Sequence, residues 1–507
     1  MLSTIKVLSA SFILIFWCVS LEAGTIITET EYFVLSLDTY LRLDSVTFKN
    51  TVDLDSSNKD DSTAYLGLDY SFGFNLESKD KEKRFFLKLE RNGPCDYSAP
   101  LFVHNTLMTS AGPIDRYRNE YLLPQIEEFW MDIPLLRPVR LKIGLYTYEV
   151  GNGFSLHGCY ENLGLTLFTE SEGFSWRFHY SRPDLHNDVR LGPRIRQEQE
   201  QDFIYEPNAA NFFALDCTFK KEESFLQPYI GALVDYTSAG KRDNYFTTPT
   251  NRDILGTVGM SWTLKQPAYS WSIEAARNFG EAKSASPEYK DVQHTGFLVF
   301  TQFESSMGNF TPYFAFLAAS GNKVSLEQVE NLEDTLTSSK NRAFSCYSPL
   351  NNNLDDSVCS SNADMLPIVA MGGGYGLNYG VPRPGTFAAA DFDNLLMPQV
   401  GFDFKIQENL TLGVYGYYLS LFERPVGLLN GVARYLSREL GSEIDLFLDY
   451  QFNENTLISL LGGYFFPGRY YKELRSDTDG SLLSPFVRGD GEPDSAYQVE
   501  IAVEFTF

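Results

Sequence analysis

Ala496-Tyr497-Gln498-Val499-Glu500-Ile501-Ala502-Val503-Glu504-Phe505-Thr506-Phe507 decides how the rest of the chain is read. Tyr497, Val499, Ile501, Val503, Phe505 and Phe507 fall on one face. Gln498, Glu500, Ala502, Glu504 and Thr506 fall on the other. A period of two marks a β-strand with one apolar and one wet side. Its length is about that of a tilted membrane-spanning strand, ~9–11 residues. An alternating segment with Phe507 at its end predicts a transmembrane barrel. It also predicts that the barrel-assembly machinery engages the chain through this strand.

Seventeen further alternating segments precede it. The clearest is 64–76, where Leu66, Leu68, Tyr70, Phe72, Phe74 and Leu76 oppose Tyr65, Gly67, Asp69, Ser71, Gly73 and Asn75. The others are expected near 36–48, 84–91, 126–133, 138–146, 161–168, 172–180, 211–219, 226–237, 254–264, 270–278, 294–303, 310–320, 398–406, 410–422, 441–451 and 455–466. The connections alternate strictly between short and long. That is the pattern of short periplasmic turns and long extracellular loops. In lipid every backbone N–H and C=O needs a partner within the protein, so the sheet must close. The sequence therefore predicts an all-β chain forming a single antiparallel transmembrane barrel of about 18 strands, with both termini periplasmic. The expected location is the outer membrane of a Gram-negative cell, among its lipids.

Composition agrees. Residues 1–23 read as a secretory signal peptide: Lys6 opens it, Val7–Val19 is a short apolar core, and Leu21-Glu22-Ala23 precedes Gly24. That leaves 24–507 for the barrel. Net charge is −25, from 66 acids and 41 bases, which argues against nucleic acid. Six cysteines include Cys18 in the signal. Cys346 and Cys359 lie in one loop and are candidates for a disulfide, whereas Cys217 falls on an apolar strand face. No His/Cys cluster has metal spacing, and no cofactor motif is present.

The period-two faces nominate pore-lining residues. The bases are Arg42, Arg84, Lys88, Arg140, Lys142, Arg177 and Lys405. Asp44, Asp69, Glu90, Glu128 and Asp132 accompany them, and Glu443, Asp445, Asp449, Glu500 and Glu504 lie on the last strands. Closure would set a basic wall beside an acidic one, and opposed charges filter ions and orient polar solutes. The plainer reading is that these groups hydrate the interior and pair with one another. Loop 321–397, which contains Met371-Gly372-Gly373-Gly374-Tyr375-Gly376, is the longest connection and a candidate constriction or lid. His104, His157, His179, His186 and His294 are scattered, and Ser175 with His179 is the nearest approach to a catalytic pair, so the chain does not read as an enzyme.

The C-terminal part resembles the alginate-export family of outer-membrane barrels. The similarity begins at Asn394-Leu395-Leu396-Met397-Pro398-Gln399-Val400-Gly401-Phe402-Asp403-Phe404 and continues through Asn409–Tyr418. Its strongest pieces are Leu440-Gly441-Ser442-Glu443-Ile444-Asp445-Leu446-Phe447-Leu448-Asp449-Tyr450 and Gly462-Gly463-Tyr464-Phe465-Phe466-Pro467-Gly468. The resemblance implies an 18-stranded barrel that exports an anionic polysaccharide. Lys142-Ile143-Gly144-Leu145-Tyr146 stands where members often carry Gly-Arg-Gln. The expected function is a gated polar channel that passes polar solutes or exports a polysaccharide. The alternatives are a general diffusion porin, or a surface receptor or adhesin built on long loops.

Overall fold

A computed structural model describes residues 25–50, 54, 63–91, 99–103, 107–109, 112–114, 125–158, 163–182, 211–235, 250–284, 291–323, 325–326, 340–344, 367–370, 394–429, 432–475 and 492–506. The signal segment, Cys346, Cys359, the glycine run 371–376 and Phe507 lie outside them.

Eighteen long strands form the wall. They are β1 (Phe33–Lys49), β2 (Thr63–Ser78), β3 (Arg84–Arg91), β4 (Gln125–Leu136), β5 (Val139–Leu145) and β6 (Leu163–Thr169). Next come β7 (Phe174–Arg182), β8 (Asn211–Lys221), β9 (Ser224–Asp235), β10 (Thr250–Gln266), β11 (Tyr269–Ser284) and β12 (Phe297–Ser305). The last six are β13 (Phe310–Ala319), β14 (Leu395–Gln407), β15 (Leu410–Leu421), β16 (Glu439–Asn453), β17 (Thr456–Pro467) and β18 (Ala496–Thr506). Each pairs antiparallel with its sequence neighbours, and β1 pairs with β18 from Tyr40↔Thr506 to Lys49↔Tyr497. The sheet is thus a closed barrel. Below Tyr40 the edge of β1 is covered by an N-terminal strand, Thr25–Glu29, which pairs with Val34–Leu37. Closure leaves no edge facing lipid, as the solvent requires.

All eighteen expected segments are strands, with ends that differ by a few residues. The turns between β2 and β3, β4 and β5, and so on are short, and all lie at one end. The long connections lie at the other.

The burial pattern is inverted relative to a water-soluble domain. On β18, Val499 and Ile501 are 42% and 53% exposed, whereas Glu500 and Ala502, which alternate with them, are 1% and 0%. Apolar side chains face out and charged ones face in, as lipid outside and polar groups inside demand. Near the short turns, Trp262 and Trp271 pack edge to face at 5.4 Å between ring centroids, beside Tyr269 and Phe303. This is an aromatic band at the periplasmic interface. The chain is an outer-membrane β-barrel.

One glycine shapes the wall beside the lumen. Gly144 of β5 has φ +135°, and a Cβ there would stand 2.1 Å from the Phe129 carbonyl oxygen. Only glycine fits this close approach of β5 to β4.

Candidate functional site

The interior face brings the nominated charges together in pairs. Arg42 of β1 reaches across the closing seam. Its Nη1 donates to Glu504 Oε1 at 2.7 Å, its Nη2 donates to Glu500, and its Nε lies 3.6 Å from Asp44. Lys88 pairs with Glu90 on the same strand, and Arg140 Nη2 lies 3.0 Å from Asp132 Oδ2. Lys142 Nζ sits 4.0 Å from the Trp130 ring centroid and 4.3 Å from that of Tyr146. Both rings offer it a negative π-face. Trp130 Nε1 donates to Glu128 at 2.8 Å, and the Arg84 guanidinium lies 5.6 Å from the Trp130 ring centroid while donating to Asn75. On β16, two strands from the closing seam, Asp449 accepts from Ser459 Oγ at 2.6 Å. Lys405, near the short turn after β14, is exposed.

The lumen is therefore not divided into a basic wall and an acidic wall. Bases on β1–β7 are interleaved with carboxylates, and a second group of acids lies on β8–β11. Asp216, Asp253 and Glu274 were not nominated from the sequence, yet they are 1%, 4% and 0% exposed. The alternation Phe212, Ala214, Asp216 against Phe213, Leu215, Cys217 carried the signal for the first of these. Cys217 lies on the outward face of β8, with the thiol of no disulfide.

Two extracellular loops fold into the barrel. The first, between β5 and β6, makes a small hairpin of Tyr148–Val150 against Leu156–Gly158. Wall residues hold it. Tyr148 OH donates to Asp216 Oδ2 at 2.9 Å, and Arg177 donates to Asp216 and, at 2.9 Å, to the Glu149 carbonyl. Gln227 accepts from the Gly151 amide at 3.0 Å and donates to Asp216. Glu274 accepts from the Asn152 amide at 2.7 Å, from Ser155 Oγ at 2.8 Å and from Tyr229 OH at 2.7 Å. Buried carboxylates need such partners, and the loop supplies them. Burial, with the Asp216 carboxylate beside it, raises the Tyr148 hydroxyl above the usual phenol range and keeps it a donor. Phe154 at the tip packs on Phe300 at 4.3 Å. Gly151 has φ +68°, and a Cβ there would meet Glu274 Oε2 at 2.9 Å.

The second is the long connection between β13 and β14. Within it, three successive amides face β16: Ile368 N donates to Asp445 Oδ2 at 3.0 Å, and Val369 N and Ala370 N donate to Glu443 at 2.6 and 2.8 Å. An earlier piece, Lys340–Asn341, runs parallel to Val292–His294. There His294 Nε2 shares a hydrogen bond of 2.8 Å with Asp253. Loop residues Leu54, Phe154, Phe344, Ile368, Val369, Leu436, Tyr470 and Tyr471 join strand residues such as Leu298, Phe300, Leu317, Tyr417 and Phe465 in one buried apolar cluster. Tyr470 and Tyr471 come from a short helix, Arg469–Arg475, in the last long connection. Among the described residues, the extracellular half of the barrel thus holds a buried apolar cluster of loop and wall side chains.

His179 does not meet Ser175. Its Nδ1 shares a hydrogen bond with Thr166 Oγ1 at 2.8 Å, and its ring stacks on Tyr148 at 4.0 Å. Among the described residues no group of three or more His, Cys, Asp or Glu has metal-binding geometry.

No family model and no curated protein sequence matches the chain. Solved structures similar to it include Pseudomonas aeruginosa OpdK with vanillate, at 12% identity and a TM-score of 0.48 over 93% of this chain and 98% of that one. Acinetobacter baumannii OccAB4 is similar at 12% identity and 0.48, over 95% and 99%. P. aeruginosa OccK2 (OpdF) in complex with glucuronate is similar at 11% and 0.46, over 93% and 96%.

Proposed function

We propose that the chain is an outer-membrane channel for small polar solutes, with a preference for cations and an extracellular mouth closed by its own loops. Arg42, Arg84, Lys88, Arg140, Lys142, Arg177, Glu443, Asp445, Asp449, Glu500 and Glu504 are its proposed pore-lining set. One observation carries the reading. Arg42, Lys88, Arg140 and Arg177 are each ion-paired to a carboxylate, whereas Asp403 and Asp449, half-buried on the lumenal face, have no basic partner among the described residues. These four bases are thus neutralised locally, Arg84 and Lys142 lie against the Trp130 ring, and the half-buried acids give the lumen its proposed surplus of negative charge. Rings of carboxylates favour cations in a narrow pore.

An exporter of a polyuronate needs the opposite, a net positive path, because each sugar carries a negative charge. The resemblance of 394–468 to the alginate-export family therefore supports the barrel form better than it supports that cargo. Purified protein in a planar bilayer tests the reading. Discrete conductance steps that are indifferent to added polyuronate are expected. Block by polyuronate at low concentration would favour export. No conductance at any voltage would point to a receptor or adhesin instead.

A further inference from the structure

The outward face of β11 carries Tyr269, Trp271, Ile273, Ala275, Arg277 and Phe279, while Glu274, Ala276 and Asn278 point inward and are buried. Arg277 is thus an exposed cation on the lipid face. Its cross-strand neighbours are Val258 of β10 and Phe297 of β12, both exposed and apolar. Among the described residues it has no ion pair and no hydrogen bond. It is also the one charged side chain among them that lies on the outward face with apolar outward residues on its own strand both above and below.

Its height is informative. Arg277 stands six residues above Trp271 of the periplasmic aromatic band. At ~3.4 Å per residue and a tilt of ~40° this is about 15 Å up an apolar belt ~25 Å tall. Phe279 lies two residues higher, and its ring covers Gly256 so closely that a Cβ there would stand 2.3 Å away. Phe297 packs edge to face on Phe422 at 5.3 Å. These rings mark the extracellular interface. Arg277 lies below it in the upper half of the belt, with its long side chain able to extend toward the headgroups.

An unpaired charge among lipid tails is unfavourable and persists where it finds a partner. We propose that Arg277 binds the phosphate of an outer-leaflet lipid, in a niche framed by Val258, Phe279 and Phe297. A planar guanidinium takes two phosphate oxygens at once, which a lysine ammonium does not. The inference rests on the outer-membrane placement and is independent of the channel reading.

Native mass spectrometry of the purified protein tests it, with lipid A, phosphatidylglycerol or the phosphate-free digalactosyl diacylglycerol added. Wild type is expected to retain one phosphate-bearing lipid about tenfold better than Arg277→Gln, with Arg277→Lys between them. Arg137→Gln, which removes the same charge at an exposed periplasmic turn, should leave retention unchanged. Better retention of lipid A than of phosphatidylglycerol identifies a glycolipid phosphate, and the reverse a phospholipid. Equal retention by wild type and Arg277→Gln overturns the proposal, as does equal retention of the phosphate-free lipid by wild type. If wild type instead self-associates and Arg277→Gln does not, the partner is a second copy and the proposal fails. Should Arg277→Gln not insert, the Arg277→Lys comparison decides: unchanged retention there overturns it.

Discussion

Replacing Arg42 with methionine removes a cation that ties the first strand to the last. The guanidinium contacts Glu500 and Glu504 of β18 and lies 3.6 Å from Asp44 of its own strand. Arg42 and Glu500 are each 1% exposed, so water cannot take over the solvation that is lost. Methionine fills much of the volume but leaves three carboxylates facing one another. Breaking a buried pair from one side costs about 3–5 kcal/mol, because the remaining charge is stranded. With a urea slope of ~3 kcal/mol/M, the unfolding midpoint should fall by about 1–2 M. Adding Glu500→Gln and Glu504→Gln to Arg42→Met removes two of the three stranded charges, leaving Asp44, and should return most of that loss, to within about 1–2 kcal/mol of wild type. The assay is urea unfolding in lipid vesicles, followed by tryptophan fluorescence. A midpoint for Arg42→Met within ~0.3 M of wild type would refute the reasoning. So would a triple variant no more stable than the single one.

Gly144→Ala should prevent correct pairing of β4 with β5, since the new Cβ would collide with the Phe129 carbonyl; the folded fraction after refolding into vesicles checks it, and a wild-type yield contradicts it. Glu443→Gln with Asp445→Asn weakens three amide contacts to the long loop by roughly 1–2 kcal/mol in total. Openings in single-channel records should then become about tenfold more frequent, and an unchanged record would mean that this contact does not hold the mouth shut. Reversing Arg140 and Lys142 to Glu should move selectivity further toward cations, read as a shift in reversal potential. No shift would place both side chains outside the ion path.

The barrel was readable because its constraints are local and repeated. Alternation of the kind seen in 64–76 and 496–507 is imposed on every strand by lipid on one side and polar contents on the other, and the residues 84–91 of β3 can be bounded from it alone. The seam was readable in outline, because closure must join β1 to β18. Its register was not, because Arg42 opposite Glu504 depends on contacts 462 residues apart in sequence. The in-folded loops were legible least. Ile368, Val369 and Ala370 dock through backbone amides, which every residue has, so no side-chain pattern announces them. The hairpin after β5 did leave a trace: Tyr148, Val150, Phe154 and Leu156 are too apolar for a loop that stays in water. Asp216 and Glu274 look like ordinary inward-facing acids until the loop that satisfies them is in place.

The reversal potential of the open channel under a tenfold potassium chloride gradient tests the central claim most directly. If the paired bases are neutralised in place and the half-buried lumenal carboxylates set the field, the potential lies toward that of potassium, and it moves toward zero in Asp449→Asn. A potential toward that of chloride would mean that the arginines and Lys142 face the ion path with their charge intact, and the account of the lumen would be wrong.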